Sequence, residues 1–460
     1  MSEREVDVII VGAGPAGEVA AGRLGDAGLE TVLVEDRLVG GECSFWACMP
    51  SKALLRPAQA VAEARRIPGA AEAVTGDLDV AAVLKRRDEI IHDLDDSGML
   101  PWLEEKGVEL IRGVGRLDGE RQVRIGDDVL TAREAVILSV GSAPAIPPVP
   151  GLREAAPWTN EEVTTAKHVP GRLVVLGGGV VGVEMAQAYA TLGSTVSLIE
   201  AGERVLAREE PFASEQIDAA LQELGVSIHC GAKVASVLRH DDTTVTVTLE
   251  DGTELTGDEL LCATGRRHKT DDLGVDTIGL EPGGPISVGE DMRVDGHPWL
   301  YAVGDVNGRA LLTHMGKYQA RVAAETILGR ETRVMLSCDG GLSPRVVFTE
   351  PQVAAVGHTE ASAREQGLAV RVLDVSTEGN AGGSFYGRNA AGTCRLVVDT
   401  ERDLIAGATF TGVDVGDWIH AATIAIVGKV TMADLWHAVP SFPTRSEIWL
   451  KFTEAYEVAA

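Results

Sequence analysis

The chain has 460 residues, of which 45% are hydrophobic, 24% charged and 4% aromatic, with 53 glycines and a formal net charge of −28. That length holds two to four domains, and the balance is that of a soluble globular α/β protein with many tight turns. The negative charge argues against DNA, RNA or an anionic membrane as the main partner and reads as a solvated acidic surface; no apolar run approaches the roughly 18 residues that span a bilayer.

The chain opens on Met1-Ser2-Glu3-Arg4-Glu5 and passes directly into an apolar strand, which leaves no room for a signal peptide and points to the cytoplasm. Val8-Ile9-Ile10-Val11 runs into Gly12-Ala13-Gly14-Pro15-Ala16-Gly17. An alanine-rich helix follows to about residue 26, and Thr31-Val32-Leu33-Val34 ends on Glu35. Strand, G-x-G-x-x-G, helix, strand and acid in this register predict a dinucleotide-binding unit. The glycines allow a tight turn and the close approach of a pyrophosphate to the helix N-terminus, and the carboxylate accepts from ribose hydroxyls.

Next comes Gly40-Gly41-Glu42-Cys43-Ser44-Phe45-Trp46-Ala47-Cys48-Met49-Pro50-Ser51-Lys52, read as a helix whose first turns carry two cysteines. Unpaired N–H groups and the dipole at a helix start favour negative charge. A thiol placed there has its pKa lowered, and the thiolate is the reactive form in disulfide exchange, although a free cysteine is also often a small buried hydrophobe. Six cysteines, only two of them close together, make no secreted disulfide framework. Cys43 and Cys48 therefore read as a redox pair, and Cys230, Cys262, Cys338 and Cys394 as buried fillers.

Helical segments are predicted at 52–64 and, beyond Pro68-Gly69, at 79–106; strands follow at 108–111, 121–125 and 135–140. Ser139-Val140-Gly141-Ser142 opens onto Pro144, Pro147, Pro148 and Pro150, a stiff linker. Then Arg172-Leu173-Val174-Val175-Leu176 leads into Gly177-Gly178-Gly179-Val180-Val181-Gly182-Val183-Glu184, a helix to about residue 192, and Thr195-Val196-Ser197-Leu198-Ile199-Glu200. This is the same unit a second time. Two dinucleotide folds imply two nucleotides, and a redox pair beside the first implies electron traffic between them. Glu200 should accept from an adenosine ribose and repel a 2′-phosphate, favouring NADH over NADPH, with Arg204 and Arg208 placed to moderate it.

Segments 233–237 and 244–249 predict an antiparallel hairpin, 260–267 its closing strand and turn, and 300–305 an apolar strand capped by Gly304-Asp305. A carboxylate there can reach a flavin ribityl hydroxyl, although a bare Gly-Asp is more often a simple turn. A helix at 314–328 follows. Beyond Gly340-Gly341, strand-like runs at 345–349, 354–357, 370–375, 393–398 and 404–410 precede helices near 417–427 and 432–437. This α+β unit has no nucleotide motif and reads as an assembly element. Pro440-Ser441-Phe442-Pro443-Thr444-Arg445-Ser446-Glu447 and a short helix end the chain.

The ordered motifs GAGPAG, GGECSFWACMPSKALL, SVGS with its proline linker, GGGVVGVE, CATGRR, AVGDV and FPTRSE resemble the flavoprotein disulfide reductases over nearly the whole chain. That family includes dihydrolipoamide dehydrogenase, glutathione reductase, mercuric reductase and the soluble transhydrogenase. The resemblance implies an α/β fold of two Rossmann-like dinucleotide-binding domains plus a C-terminal α+β dimerisation domain. Its parts would be 1–150 (FAD-binding, first part), 151–276 (NAD(P)-binding), 277–336 (FAD-domain return) and 337–460 (dimerisation). FAD would sit on Gly12, Gly14, Pro15, Ala16, Gly17, Glu35, Gly41 and Lys52, with Gly115, Gly141, Asp305 and Thr313 completing its site. NAD(P)H would lie on Gly177, Gly179, Gly182, Glu200, Val234 and Gly265. Cys48 would stack on the flavin as the charge-transfer thiolate and Cys43 would meet the acceptor. Lys52 would lie near flavin N5, paired with Glu184 where nicotinamide docks. No resident metal is implied, and each active site of a homodimer would be completed by the other subunit's tail.

The tail departs from the family pattern. Disulfide-reducing members carry His-x-His-Pro-Thr-x-x-Glu, whereas Pro440 and Phe442 stand at the histidine positions here. Glu447 remains of the catalytic set, with no imidazole to orient. General acid–base catalysis is typically worth roughly 10²–10⁴-fold, so a thiol leaving group would depart unprotonated and slowly. His437, five residues upstream of Phe442, reads as a helix-face histidine, the alternative being that it substitutes for the missing imidazole. Phe45 and Trp46 between the cysteines are a second departure, and with Phe442 they are expected to make the acceptor side apolar. Mercuric reductases also lack the tail histidine but usually end in a Cys-Cys pair, whereas this chain ends Tyr456-Glu457-Val458-Ala459-Ala460; transhydrogenases lack the full cysteine pair.

The resulting expectation is an FAD-dependent, NADH-preferring homodimeric oxidoreductase with a redox-active Cys43–Cys48 disulfide. Its small-molecule electron acceptor would be a metal ion, a quinone or another species rather than a standard dithiol substrate. The alternatives are a reductase of lipoamide or a low-molecular-weight disulfide with another proton donor, and a flavin-binding interaction subunit with decayed catalysis. The intact Cys43, Cys48, Lys52 and Glu184 weigh against the last.

Overall fold

The first apolar run folds as strand Glu3–Val11 in the computed structural model, which describes residues 3–240, 243–388, 390 and 392–458. Met1, Ser2 and the closing Ala459-Ala460 lie outside the described residues. The chain forms two units.

The first comprises Met1–Pro50, Asp88–Ala145 and Arg266–Gly341. In its sheet, Glu3–Val11 lies between Thr31–Glu35 and Asp128–Leu138 and runs parallel to both. Val108–Arg112 extends the sheet on one side and His297–Ala302 on the other, again in parallel. Strands buried on both faces read as continuous apolar runs rather than alternating ones, and Val8, Ile9, Ile10, Val32, Leu33 and Val34 are accordingly all buried. On one face Val8, Ile10, Leu33 and Ile137 pack against helices Pro15–Asp26 and Thr313–Ile327. Ala20, Ala21, Ala320 and Ala323 let those helices come close. On the other face Ile9, Val32 and Val136 meet Leu117, Val123 and Trp299.

The second unit comprises Ser51–Arg87, Ile146–Gly265 and Leu342–Ala460. Its parallel sheet runs Ser227–Cys230, Thr195–Glu200, Arg172–Leu176, Glu259–Cys262 and packs on helix Val180–Thr191. Near the C-terminus a five-stranded antiparallel sheet runs Arg345–Val347, Gln352–Gly357, Leu404–Gly412, Thr393–Asp399, Val370–Ser376. Helix Ile448–Val458 closes on it through Trp449 and Phe452 against Phe410. The architecture is thus the α/β class with two nucleotide-type parallel sheets and a C-terminal α+β domain.

Several elements differ from their sequence-based expectation. The segment 79–106 is not one helix: Val80–Ile90 ends, His92, Asp93 and Leu94 take left-handed φ values of 51°, 50° and 62°, and a second helix starts at Leu100. The side chains of Asp95 and Asp96 cause the break by hydrogen-bonding off the helix, to Ser97 and to Val39 and Arg112 respectively. The cysteines stand on two helices rather than one: Cys43 on Gly41–Phe45, Cys48 opening Cys48–Arg66, with Trp46 at φ −134° between them. The 233–249 hairpin gains a third strand, Glu254–Gly257. Strand 135–140 is the longer Asp128–Leu138. Cys262, Cys338 and Cys394 are buried, but Cys230 is only partly so.

Candidate active site

The two nucleotide-type loops have the same steric construction. Gly12 and Gly177 take φ of +101° and +107°, and a Cβ on them would lie 2.6 Å from the Ser139 carbonyl oxygen and 2.4 Å from that of Ala263. A Cβ on Gly17 or Gly182 would lie 1.9 or 1.8 Å from the carbonyl oxygen of Gly12 or Gly177, so only hydrogen fits. Gly14 and Gly179 are the reverse. Each is the N-cap of its helix, Pro15–Asp26 or Val180–Thr191, with no protein atom within 4 Å of an added Cβ. Free space against exposed helix N–H groups fits a pyrophosphate.

At the strand ends, Glu35 accepts from Ala13 N and Arg37 N, both at 2.7 Å. Glu200 accepts from Gly178 N and Gly202 N, both at 2.6 Å. Each carboxylate ties its glycine loop to the turn after the strand and keeps lone pairs for ribose hydroxyls. Burial raises the Glu35 carboxyl above its ordinary value, against the pull of the two amides.

The remaining residues proposed for nucleotide contact occupy these surroundings. Pro15 opens its helix, and Ala16 is buried in it. A Cβ on Gly41 would meet Gly14 Cα at 2.8 Å, and one on Gly115 would meet Val11 and Val34. Gly141 and Gly265 turn at φ +75° and +139° with open space beside them, and Val234 begins strand Val234–His240. Asp305, in the turn Gly304–Asn307, accepts from Ser142 Oγ at 2.5 Å. Ser142 Oγ in turn accepts from Arg266 Nε at 2.5 Å, and Arg266 also pairs with Glu42. Sequence reasoning missed Ser142, Arg266 and Glu42. Opposite charges inside the otherwise apolar GGEC and CATGRR motifs were the available signal.

Cys43 and Cys48 are both half-buried. Cys48 Sγ lies 3.4 Å from Oγ1 of Thr313, the first residue of helix Thr313–Ile327. The hydrogen bond with Cys48, then burial, push the Cys43 thiol far above its ordinary value, while Thr313 and the Lys317 charge act against this. The lowering expected of a helix-start thiol is therefore overturned at Cys43, because a second thiolate beside the first is electrostatically opposed. Phe45 and Trp46 are buried as well. They pack with Ile91, and Arg37 lies over the Trp46 ring at 3.8 Å. They form a small buried cluster of their own within the first unit rather than an exposed apolar wall.

Four residues beyond Cys48 on its helix, Lys52 Nζ donates to Glu184 Oε2 at 2.8 Å. Glu184 is 2% exposed, and its Oε1 accepts from Phe348 N at 2.9 Å. The Phe348 ring lies under Nζ at 4.6 Å, another contact the sequence did not suggest. In the tail, Glu447 accepts from Gly382 N at 3.3 Å, and no histidine bonds it among the described residues. Phe442 is 76% exposed. His437 stands edge-on to Trp436 on an exposed helix face. Among the described residues no cluster of His, Cys, Asp and Glu is placed to hold a metal ion, and no helix is long and apolar enough to cross a membrane.

Comparison with known proteins gives a consistent picture. Residues 6–325 match the family model "Pyridine nucleotide-disulphide oxidoreductase", and residues 343–452 match its dimerisation domain. Dihydrolipoyl dehydrogenase of Chlamydia muridarum is 31% identical over 450 residues, covering 96% of this chain and 95% of that protein. Mercuric reductase of Staphylococcus aureus is 29% identical over 450 residues, covering 96% and 81%. Among solved structures, the HOCl-induced flavoprotein disulfide reductase RclA from Escherichia coli superposes with a TM-score of 0.85 at 25% identity, covering 97% of this chain and 99% of that one.

Proposed function

The chain belongs to the pyridine nucleotide-disulphide oxidoreductase family, FAD-dependent enzymes with NAD(P)H as electron donor, and from that premise we propose that it passes electrons through Cys43–Cys48 to a small acceptor other than a standard dithiol substrate. A metal ion or a quinone is such an acceptor, because neither needs a protonated thiol leaving group. One observation carries this reading. Where an imidazole would donate a proton, the tail presents the exposed Phe442 ring, and Glu447 is bonded to a backbone amide instead. A relative named for a metal-ion acceptor, the mercuric reductase, supports it.

In this proposal FAD lies along Gly12, Gly14, Pro15, Ala16, Gly17, Glu35 and Gly41, with Lys52, Gly115, Gly141, Asp305 and Thr313. When bound, it supplies the conversion of a hydride into an electron pair. NADH lies along Gly177, Gly179, Gly182, Glu200, Val234 and Gly265. Glu200 supports NADH over NADPH, since a carboxylate at the strand end accepts from ribose hydroxyls and repels a 2′-phosphate. Lys52, fixed between Glu184 and the Phe348 ring, is a cation held ready for charge developing beside it. Cys48 faces the flavin, Cys43 the acceptor. The four-part division at 1–150, 151–276, 277–336 and 337–460 and a homodimer built on the last part complete the proposal; the dimerisation-domain match supports the dimer.

The intact cysteine pair and the dihydrolipoyl dehydrogenase relatives favour one second reading, a disulfide reductase with another proton donor. Phe442→His separates the two. NADH-driven turnover of a quinone or metal ion by the parent, slow lipoamide turnover, and a rise of about 10²-fold in lipoamide turnover in the variant are expected. Efficient lipoamide turnover by the parent would establish the second reading instead.

A further inference from the structure

Gln319 lies in helix Thr313–Ile327 and is wholly buried. Its Oε1 accepts from Gly304 N at 2.8 Å and from Asn307 Nδ2 at 2.9 Å. These donors stand at the two ends of the turn Gly304–Asn307, whose second residue is Asp305. Asn307 Nδ2 also donates to the carbonyl of Ala302, the last residue of strand His297–Ala302, at 3.0 Å. One amide oxygen thus ties both ends of the turn to the helix. Because two donors meet that oxygen, the network fixes which way the amide points. Its Nε2 is buried and has no hydrogen-bond partner.

The buried helix residues around Gln319, namely Met315, Ala320, Val322 and Ala323, are apolar. Among them a side chain with an unmet donor is costly, and what it gains there is the hold on the turn. The same helix meets other parts of the site in steps of three residues. Thr313 Oγ1 lies 3.4 Å from Cys48 Sγ. At Gly316 a Cβ would sit 3.3 Å from Gly304 Cα and 3.4 Å from the Cβ of Ala16, which belongs to helix Pro15–Asp26. Gln319 comes next. Residues three apart form a ridge along a helix, so this ridge touches in order the dithiol, the helix of the first glycine loop and the turn of Asp305.

We propose that Gln319 is a positioning residue for FAD, setting the place of the Asp305 carboxylate along helix Thr313–Ile327 and so aligning it with the first glycine loop and the dithiol. The proposal rests on the reading of Asp305 as a flavin contact. Asp305 reaches the cofactor and Gln319 acts through it. Oε1 is the atom that does this, and Nε2 has no part in it.

The test measures cofactor affinity rather than turnover. FAD is stripped from each variant and titrated back, and the change in flavin fluorescence gives Kd. Gln319→Met, close in shape but without an acceptor, is expected to raise Kd about tenfold through the two lost hydrogen bonds. Gln319→Glu keeps an acceptor oxygen for both donors and is expected to keep the parent Kd. Asn307→Ala removes one of the two donors and is expected to raise Kd about threefold, so it carries the test if Gln319→Met does not fold. A merely structural role would weaken the stripped protein without singling out Asp305. In an Asp305→Ala background, Gln319→Met is therefore expected to raise Kd no further. A parent-like Kd in Gln319→Met, an equal loss in Gln319→Glu, or a loss that persists in full in the Asp305→Ala background overturns the proposal. If Asp305→Ala alone binds FAD like the parent, the reading of Asp305 as a flavin contact falls first, and that result is distinct from the other three.

Discussion

At the scale of single residues, the two kinds of glycine in each loop predict opposite phenotypes. Gly17 has a carbonyl oxygen where its Cβ would go, and Gly14 has nothing. Gly17→Ala must displace backbone, so it should destabilise the fold by about 1–3 kcal/mol, read as a lower midpoint in thermal unfolding. With FAD stripped from both, Gly14→Ala should unfold like the parent, yet when expressed it should elute from gel filtration without the yellow absorbance of FAD, because its methyl group fills the space proposed for pyrophosphate. Equal FAD retention in the two variants would contradict this division of labour. These glycines were legible in the sequence because the steric rule behind them is local. The link from Glu42 through Arg266 and Ser142 to Asp305 was not: it joins segments far apart in the chain, and no periodicity or spacing encodes such a meeting. Phe348 beneath Lys52 was hidden for the same reason.

At the scale of elements, the parallel sheets and their helices were readable from apolar runs and glycine punctuation, whereas helix interruptions were not. Asp95 and Asp96 look in sequence like two more solvent-facing residues of a long helix. In the fold, Asp96 is nearly buried and accepts from Val39 N at 2.7 Å and from Arg112 at 2.6 Å. These bonds hold the chain off the helical path so that Ile91 can reach Phe45 and Trp46. Asp96→Ala leaves a buried amide and a guanidinium without their acceptor, a loss of about 1–3 kcal/mol, which a urea titration would register as a lower midpoint. A variant as stable as the parent would show that the apolar cluster alone fixes this segment. The aromatic residues beside Cys43 were misjudged for a related reason: between two cysteines they suggest an acceptor surface, but the turn at Trp46 points them into the core.

At the scale of the whole molecule, two sets of carboxyl groups act on stability in opposite directions. Arg133 holds Asp7 and Glu30 below their ordinary values, and Arg172 and Arg116 do the same for Asp258 and Asp272. A carboxyl depressed in the folded state contributes stability above its unfolded value, and that contribution is lost as pH falls through the folded value. Burial raises Glu18 to about 7 and also raises Glu350. For these the folded value exceeds the unfolded one, so stability is lost as pH climbs from the ordinary carboxylate range towards 7. The melting temperature is therefore expected to peak in the ordinary carboxylate range, at about pH 4–5, and Glu18→Gln should flatten the alkaline limb alone. A melting temperature that climbs steadily to pH 8 would refute this balance. Net charge could be read from composition, but the sorting of carboxyls into raised and lowered sets requires the fold.

The carboxylates at the two strand ends have a consequence for binding kinetics. Glu35 and Glu200 grip the amides of their own glycine loops through bonds made wholly within the chain. The conformational entropy of those loops is surrendered during folding, not at the moment of association. On the proposal that nucleotides bind at these loops, the bonds that order them are made within the chain itself, and pre-organisation of this kind removes an ordering penalty from the affinity.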